Sequence, residues 1–306
     1  MNGTETSTGV VITAVPKRGV PAWLRLLRPV QWSKNAIVFA GAVFGGVIDE
    51  PANLARALTI FLAFCAISSA TYILNDWIDA PADRLHPRKR YRPLAAGTIG
   101  VRSALGVAVV LAVVALLAAA AVSWWCLLVL AGYLVLMIAY CLSIKHVVIL
   151  DVFAISGGFV LRAVAGAAAV NVPISAWLLL CTMLLALFLA FGKRRSELVT
   201  LQPESLAYRQ TLEGYTVPML DQAIAVTAAS TLMAYATYTF NSADVPGNNM
   251  MMITIPFVAF AMFRYMYLVY AKHLGGSPES LLFRDAPMLG SIVMWAMACL
   301  AVILLR

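Results

Sequence analysis

The sequence predicts an all-α polytopic membrane protein with nine transmembrane helices, and three observations support this fold class. Apolar residues make up 62% of the 306 residues and charged residues only 12%, whereas soluble domains carry about 25% charged residues. Apolar runs of membrane-spanning length follow one another with short gaps. Basic residues are concentrated in alternate loops, as the positive-inside bias requires. A bilayer solvates so much apolar surface directly, so one membrane domain is favoured over two soluble ones.

Nine apolar segments are candidates for spanning helices, because each approaches the length of about 20 residues that a bilayer requires. The uncharged stretch between Arg102 and Lys145 would be about 60 Å long as a single helix, so we expect it to turn back near Ser123. The predicted domains are a disordered cytoplasmic tail over 1–22 and a single transmembrane domain over 23–306. The predicted spans cover roughly 34–49, 55–74, 102–121, 124–142, 147–170, 174–192, 219–240, 250–270 and 287–305.

The loop charges predict the orientation of the chain. If the N-terminus is cytoplasmic, the face opposite to the cytoplasm keeps only Arg56 and Arg306 among the loop cations. The two long charged loops, 75–101 and 193–218, then lie on the cytoplasmic side, where we expect the chemistry on polar substrates. The net charge of +8 is interpreted as topology and phosphate binding, with no nucleic acid as a partner. The five cysteines lie in or beside apolar runs without metal-ligand spacing, which indicates packing residues.

A cluster of acidic residues follows the second apolar segment. Asn75, Asp79 and Asp83 are spaced i, i+4 and i+8, and Asp76 follows Asn75 directly, so a helix would present all four on one face. Three neighbouring carboxylates repel one another, more strongly beside a low-dielectric membrane, and a divalent cation would relieve that repulsion. Oxygen ligands of this kind suit Mg²⁺. The sequence predicts Mg²⁺ bound by these four residues and a catalytic role for the three aspartates; a solvated charged loop is the alternative.

A run of cations follows the acidic cluster within residues 84–94. Carboxylates that hold Mg²⁺, placed beside cations that hold phosphate oxygens, form a diphosphate site. Topology signal combined with contact to lipid head groups is the alternative. The predicted substrate-binding residues of this run are Arg84, Arg88, Lys89, Arg90 and Arg92.

Other candidates lie at the ends of the apolar segments or within them. A charge inside a spanning helix costs about 2.5–3.5 kcal/mol on insertion scales, so Asp151 and Arg162 are functional candidates, with pairing for structure alone as the alternative. They are about 16 Å apart along a helix, so we do not expect them to pair with each other. The remaining predicted substrate-binding residues are Arg28, Lys34, Asn35, Tyr72, Tyr140, Lys145, Arg162, Lys193, Arg194 and Glu197.

These motifs resemble the UbiA-type intramembrane prenyltransferase superfamily. The resemblance rests on the N-D-x-x-D-x-x-x-D pattern from Asn75 to Asp83 and on Arg92-Pro93-Leu94 to Gly97. With its nine-helix layout, it covers nearly the whole chain. It implies a helical bundle around a central cavity, with Mg²⁺-diphosphate bound by the acidic motif at the cytoplasmic face.

The sequence departs from the prenyl-transferring members of this superfamily after the sixth apolar segment. Those members usually carry a second aspartate-rich motif there, whereas this chain reads K-R-R-S-E over 193–197. The chain instead resembles the decaprenyl-phosphate phosphoribosyltransferase branch. The matching features are Arg28-Pro29-x-Gln31-Trp32-x-Lys34-Asn35, Tyr140 to Lys145-His146, Leu161-Arg162-Ala163-x-Ala165-Gly166 and Gly192-Lys193-Arg194.

The resemblance to this branch implies a reaction and its substrates. Its members transfer 5-phosphoribose from phosphoribosyl diphosphate to a polyprenyl phosphate, and the product supplies arabinose donors for cell-wall polymers such as arabinogalactan. It therefore implies Mg²⁺ as the cofactor, both phosphate substrates as partners, and the plasma membrane of a bacterium as the location. Glu197 would bind ribose hydroxyls or complete the metal site. The sequence leaves the oligomeric state open and is compatible with a homo-oligomer.

Two alternative functions remain open at this point. The first is an aromatic prenyltransferase of the same superfamily, which would use an allylic polyprenyl diphosphate. The second is a transporter or carrier of a phosphorylated polyprenyl lipid, but transporters usually bind their substrates near the midplane. The polar groups here concentrate at one face, which favours an interfacial enzyme. The phosphoribosyl substrates also bring more negative charge, which matches the basic 193–195 segment.

Overall fold

The computed structural model of the chain describes residues 20–86, 89–200, 210–241 and 249–304, and the regular structure within these ranges is helical. The all-α prediction is therefore confirmed for this part of the chain. The predicted tail over 1–22 falls almost entirely outside the described residues, and so does the candidate Arg88.

The helices of the described ranges follow the apolar segments of the sequence. In chain order they are α1 (Ala22–Leu27), a 3₁₀ helix (Pro29–Phe39), α2 (Ala40–Phe44), α3 (Pro51–Ile78), α4 (Ala80–Leu85), α5 (Val101–Val122), α6 (Trp124–Leu142), α7 (Leu150–Ala169), α8 (Ala176–Thr200), α9 (Gln210–Glu213), α10 (Val217–Asn241), α11 (Ile255–Tyr270), α12 (Pro278–Arg284) and α13 (Ala286–Leu304). Short 3₁₀ turns at Lys89–Tyr91, Ile144–His146 and Met250–Thr254 connect them.

Seven of the described helices are long and apolar enough to cross a membrane, so the predicted count of nine is not confirmed. The first predicted span, 34–49, is instead the end of the 3₁₀ helix followed by the short α2. This segment carries Lys34 and Asn35 among its apolar residues, and Asn35 is fully buried with a hydrogen bond inside the bundle. Its polar side chains thus serve contacts between helices rather than exposure to lipid.

The outward faces of the helices are apolar, as a bilayer requires. On α5, Val109 and Leu117 are 63% and 65% exposed, and on α6 Val135 is 66% exposed. A soluble protein rarely exposes contiguous apolar surface of this extent. These faces fit the hydrocarbon of a bilayer, and we describe the chain as a multi-pass membrane protein.

Two apolar clusters form most of the interior. The first joins the 3₁₀ helix, α3, α6 and α7, with Phe64 and Leu130 fully or almost fully buried. The second joins α8, α10 and α11, with Phe188 and Leu220 at its centre. The polar side chains of the site lie between and beside these clusters.

The N-terminal segment packs against α7 at backbone distance. A Cβ atom on Gly166 would lie 1.9 Å from the carbonyl oxygen of Val38, and one on Gly41 would lie 2.7 Å from the Cα atom of Ala167. Real side chains do not tolerate such separations, so glycine is required at both positions. The glycine that ends the L-R-A-x-A-G motif therefore allows the 3₁₀ helix to approach the buried arginine of that motif.

We predict that Gly166→Ala lowers the apparent Tm of the detergent-purified protein, because the new methyl group would overlap the Val38 carbonyl. Gly106→Ala in α5 is the matched control, since no atom lies within 4 Å of its Cβ position and alanine favours a helix. Equal melting temperatures for the two variants would contradict the close approach.

Candidate active site

The acidic motif lies where α3 ends and α4 begins. α3 continues to Ile78, beyond the predicted end at residue 74. Asp79 forms the junction, and Pro81 lies in the first turn of α4, where proline is tolerated. The Asp79 and Asp83 amides donate to the carbonyls of Asn75 and Asp79 at 2.9 and 2.8 Å, so the four-residue spacing continues across the junction.

One half of the motif is the buried pair Asp76 and Asp83, which arginines bridge. Arg92 Nη1 donates to Asp76 Oδ1 at 3.0 Å and to Asp83 Oδ2 at 2.7 Å, and Arg28 Nη2 donates to the same Asp76 oxygen at 2.5 Å. Burial raises the pKa of Asp83, against the opposing charges of Arg92 and Lys89. The repulsion expected between the carboxylates is thus relieved here by cations of the chain itself.

The other half of the motif is the pair Asn75 and Asp79. Asn75 Nδ2 donates to Asp79 Oδ2 at 2.9 Å. Lys145, from the 3₁₀ turn after α6, places its Nζ 2.6 Å from Asp79 Oδ1. Asp79 is the more exposed of the paired aspartates, with 31% of its side chain accessible against 2% for Asp76. It is therefore the carboxylate of the motif most open to a ligand.

The donor atoms of the motif fit Mg²⁺ in their chemistry, since they are carboxylate and amide oxygens. Within the ranges that the structure describes, however, no three His, Cys, Asp or Glu side chains converge as a metal site. The motif separates into two pairs instead. A Mg²⁺ ion held here would need phosphate oxygens or water to complete its shell, which is how proteins commonly bind this ion.

The cations that follow the motif have different partners. Arg92 contacts the motif directly. Arg84 donates from Nε to the carbonyl oxygen of Ala95 at 3.3 Å, and Arg90 lies exposed with its Nη2 2.8 Å from the hydroxyl of Tyr91. The run therefore does not form one uniform phosphate-binding surface.

Arg162 is buried inside the bundle and held by neutral groups. Its Nε donates to Asn35 Oδ1 at 2.7 Å, its Nη1 to the Gly158 carbonyl at 2.8 Å, and its Nη2 to the Tyr133 hydroxyl at 2.9 Å and Ser68 Oγ at 3.3 Å. The aromatic ring of Tyr133 also faces the guanidinium at 4.7 Å. These partners orient the guanidinium without cancelling its charge, so it can attract an anion.

Two lysines extend the positive charge from Arg162 through electrostatic interactions. Lys34 interacts with Arg162, and Lys193 interacts with Lys34. We refer to Lys34, Arg162 and Lys193 as the cationic group. Glu279 of α12 faces this group, since its Oε2 lies 3.7 Å from Lys34 Nζ and its Oε1 accepts from Gln31 Nε2 at 2.6 Å. Glu197 interacts electrostatically with Lys193.

Asp151 and Arg162 do not pair, in agreement with the sequence prediction. Asp151 instead accepts from Arg194 Nε at 2.8 Å and from the Tyr215 hydroxyl at 2.6 Å. Arg194 also donates from Nη1 to Glu197 Oε2 at 2.8 Å. Arg194 and Asp151 are 3% and 1% exposed. Their buried pair joins α7 to α8, so Arg194 and Glu197 already have structural partners, and their roles in binding substrate stay predictions.

The two predicted tyrosines lie beside arginines of the site. The guanidinium of Arg28 covers the ring of Tyr72 at 5.1 Å. Tyr140 is partly buried near the end of α6 and interacts electrostatically with Arg194. Tyr72 therefore packs against Arg28, which contacts the acidic motif. Tyr140 interacts instead with Arg194 of the buried pair.

Four contributors to the site escaped the sequence reasoning: Gln31, Tyr133, Tyr215 and Glu279. Gln31 stood within a quoted motif without an assigned role. Tyr133 lies in the middle of an apolar segment, where a hydroxyl group signals a buried partner. Tyr215 and Glu279 belong to short segments outside the predicted spans, and nothing in their spacing indicates what they contact.

The fold and the acidic motif define a class of intramembrane transferase, and the sequence profile of the UbiA prenyltransferase family matches residues 36–285, so the chain belongs to that family. A UbiA homologue from Archaeoglobus fulgidus bound to DMAPP and Mg²⁺ shares the fold, with a TM-score of 0.70 over 94% of this chain and 100% of that chain. Its sequence identity of 20% supports the fold alone.

Other relatives are more similar to this chain in sequence than the Archaeoglobus fulgidus homologue is. The decaprenyl-phosphate phosphoribosyltransferase of Mycolicibacterium smegmatis is 34% identical over 287 residues, which is 88% of each chain. The decaprenyl-phosphate phosphoribosyltransferase of Mycobacterium tuberculosis H37Rv is 35% identical over 279 residues, which is 90% of this chain and 92% of that one. The resemblance inferred from the motifs is therefore confirmed.

We predict that Asp151→Asn lowers the apparent Tm of the purified protein, because Arg194 loses a buried charged partner and keeps only Glu197, at a cost of about 1.5–3 kcal/mol. Asp49→Asn is the control, since Asp49 is exposed in the turn before α3 and its substitution should change the Tm little. A Tm for Asp151→Asn as high as that of the control would contradict the structural role of the buried pair.

Proposed function

We propose that this chain transfers 5-phosphoribose from phosphoribosyl diphosphate to a polyprenyl phosphate such as decaprenyl phosphate. In this proposal Mg²⁺ is the cofactor, residues 23–306 form a single catalytic domain, and the site faces the cytoplasm of a bacterial plasma membrane. The product, a polyprenyl-phosphoryl-5-phosphoribose, would be a precursor of cell-wall arabinan. The two phosphoribosyltransferases described above support the proposal through their identity over most of both chains.

The observation that carries the proposal is the cationic group. Lys34, Arg162 and Lys193 come from three separate parts of the chain, and Arg162 is held by neutral partners alone among the described residues. The donor carries a 5-phosphate beside its diphosphate, and the acceptor is a phosphate monoester. A site with excess positive charge beside a separate acidic motif suits this combination of anions.

The acidic motif would receive the leaving group. Asn75, Asp76, Asp79 and Asp83 would hold Mg²⁺, which when bound neutralises charge on the diphosphate. Arg28 and Arg92, which meet at Asp76, would donate hydrogen bonds to diphosphate oxygens. Their charges stabilise the leaving group as the C1–O bond breaks and the ribose gains oxocarbenium character.

The cationic group would position the remaining phosphates. An oxygen of the polyprenyl phosphate attacks C1 of the ribose, a new C1–O bond forms, and diphosphate departs. The attacking phosphate is already ionised near neutral pH, so the reaction requires no strong general base. Lys34 and Lys193 would hold the phosphates in the orientation that favours attack, and the polyprenyl tail would extend between helices into the bilayer.

An allylic polyprenyl diphosphate with an aromatic acceptor is the alternative within the family. That pair of substrates brings fewer phosphates, so it gives no role to the excess cations. A carrier of phosphorylated lipid is the alternative of another class, and it gives no role to the paired carboxylates at the end of α3.

The proposal is tested with the full chain reconstituted in liposomes that contain decaprenyl phosphate. With labelled phosphoribosyl diphosphate and Mg²⁺, we expect label to enter the lipid fraction as decaprenyl-phosphoryl-5-phosphoribose, identified by mass spectrometry. A parallel reaction receives an allylic diphosphate and an aromatic acceptor. Prenylation of the aromatic without any phosphoribosyl lipid would contradict the proposal, and so would lipid transfer between leaflets without chemistry.

We predict that Asp79→Ala reduces this turnover by at least about 100-fold, because the motif loses its most exposed carboxylate. Asp49→Ala, an exposed aspartate in the turn before α3, is the matched control and should keep full activity. Both variants should insert and purify alike.

Chelation with EDTA should abolish turnover, and added Mg²⁺ should restore it. Full activity of Asp79→Ala or of the chelated protein would contradict the proposed metal site.

A further inference from the structure

Glu279 belongs to the site, although it lies on the short α12 near the C-terminal end of the chain. Its Oε1 accepts from Gln31 Nε2 at 2.6 Å, and its Oε2 lies 3.7 Å from Lys34 Nζ. Lys193 acts on it through its charge. Gln31 stands between Arg28, which contacts the acidic motif, and Lys34, which belongs to the cationic group. Glu279 therefore lies where the two charged parts of the site adjoin.

The Glu279 carboxylate is partly buried yet ionised. Only 12% of its side chain is accessible. Burial alone would raise its pKa, but the charge of Lys34 and the hydrogen bond from Gln31 outweigh burial, so the pKa lies below the usual value of a glutamate. Near neutral pH the side chain is consequently an acceptor of hydrogen bonds and not a donor.

One oxygen of this carboxylate retains free capacity to accept. Oε1 is engaged by Gln31, but the 3.7 Å between Oε2 and Lys34 Nζ exceeds hydrogen-bond distance. The backbone N–H of Glu279 itself also donates to the carboxylate, which still leaves acceptor capacity on its two oxygens. A carboxylate oxygen can accept two hydrogen bonds, and a ligand group that reaches Oε2 would therefore gain a charge-assisted bond.

The chemistry of that ligand group follows from the charge of the carboxylate. A phosphate oxygen would be repelled by Glu279, whereas a hydroxyl would donate to it. Of the proposed substrates, the pentose of phosphoribosyl diphosphate carries hydroxyl groups on C2 and C3, while the polyprenyl phosphate carries none. Glu197, to which the family resemblance gave the role of binding ribose hydroxyls, already accepts from the buried Arg194 at 2.8 Å.

We propose that Glu279 is a specificity-determining residue whose carboxylate binds a ring hydroxyl of the donor pentose. This inference rests on the proposed phosphoribosyl transfer and assigns the sugar-recognising group within that site. It explains why a site built for several phosphates contains a buried carboxylate on the side of the cationic group. It also gives the site a means to prefer a hydroxylated donor over an allylic diphosphate.

The test compares sugar phosphates as competitive inhibitors of the full chain in liposomes. The probes are ribose 5-phosphate, 2-deoxyribose 5-phosphate and 3-deoxyribose 5-phosphate, each titrated against phosphoribosyl diphosphate. In the parent protein, loss of the bound hydroxyl should weaken inhibition by about 10- to 100-fold, as expected for a hydrogen bond to a charged group. In Glu279→Gln, the same deoxy sugar should bind within about threefold of ribose 5-phosphate.

The test uses the ratio between the inhibition constant of a deoxyribose 5-phosphate and that of ribose 5-phosphate. This ratio distinguishes recognition of the hydroxyl from an indirect effect on folding or charge. A change in the field around Lys34 would alter the binding of all three sugar phosphates alike and leave the ratio unchanged. Glu279→Asp, which keeps the charge and retracts the carboxylate, should retain part of the discrimination. Asp285→Asn, which lies just after α12 and pairs with Arg264, is the matched control and should keep the parent ratio.

Three outcomes would overturn the assignment. The first is an unchanged ratio in Glu279→Gln. The second is that none of the sugar phosphates inhibits an active parent protein. The third is a shift in the Mg²⁺ requirement of Glu279→Gln with the ratio preserved, which would make the residue a metal ligand. A parent protein that does not turn over phosphoribosyl diphosphate at all would instead refute the proposed function, so the two failures are distinguishable.

Discussion

The charged side chains of this bundle lie in apolar surroundings, where each must have a counter-charge or a full set of hydrogen bonds. This constraint determines how the helices contact one another at the site. Asp151 and Arg194 join α7 to α8, and Arg92 ties the segment after α4 to the end of α3. Removal of one partner would weaken the compensation of a buried charge at each of these contacts.

Arg162 satisfies the same constraint differently, and this difference links the fold to the chemistry. Its hydrogen bonds go to an amide, two hydroxyls and a backbone carbonyl, so its charge remains available. The hydrogen bond that Arg162 donates to Asn35 depends on the close approach of the 3₁₀ helix to α7, which Gly166 permits. Gly166, the last residue of the L-R-A-x-A-G motif, thus helps to determine where the Arg162 guanidinium lies inside the membrane domain.

Much of the fold and part of the site follow from local sequence features. Apolar length predicted the long helices, and four-residue spacing placed Asn75 through Asp83 at the end of one of them. The predicted count of nine spans is not confirmed among the described residues, and one reason is that the first segment uses its polar residues inside the bundle, which hydropathy alone does not reveal. The expected single cluster of Asn75 and three aspartates forms two pairs instead, because cations from other parts of the chain bind the carboxylates.

The contacts that complete the site join residues far apart in the chain. Asn35 and Arg162 are 127 residues apart, and Gln31 and Glu279 are 248 residues apart. No periodicity connects such positions, so only the packing of the helices identifies them as neighbours. Glu279 illustrates the limit, since its own segment gives no sign that it meets the cationic group.

In the proposed reaction, the acidic motif and the cationic group are two parts of a single site for anionic substrates. An experimental structure of the full chain with Mg²⁺ and a non-reactive analogue of phosphoribosyl diphosphate tests it most directly. We expect the metal and the diphosphate beside Asp79, with another phosphate at Lys34 and Lys193. Metal and diphosphate bound elsewhere, with Asp79 still paired to Lys145 and the cationic group empty of phosphate, would contradict it.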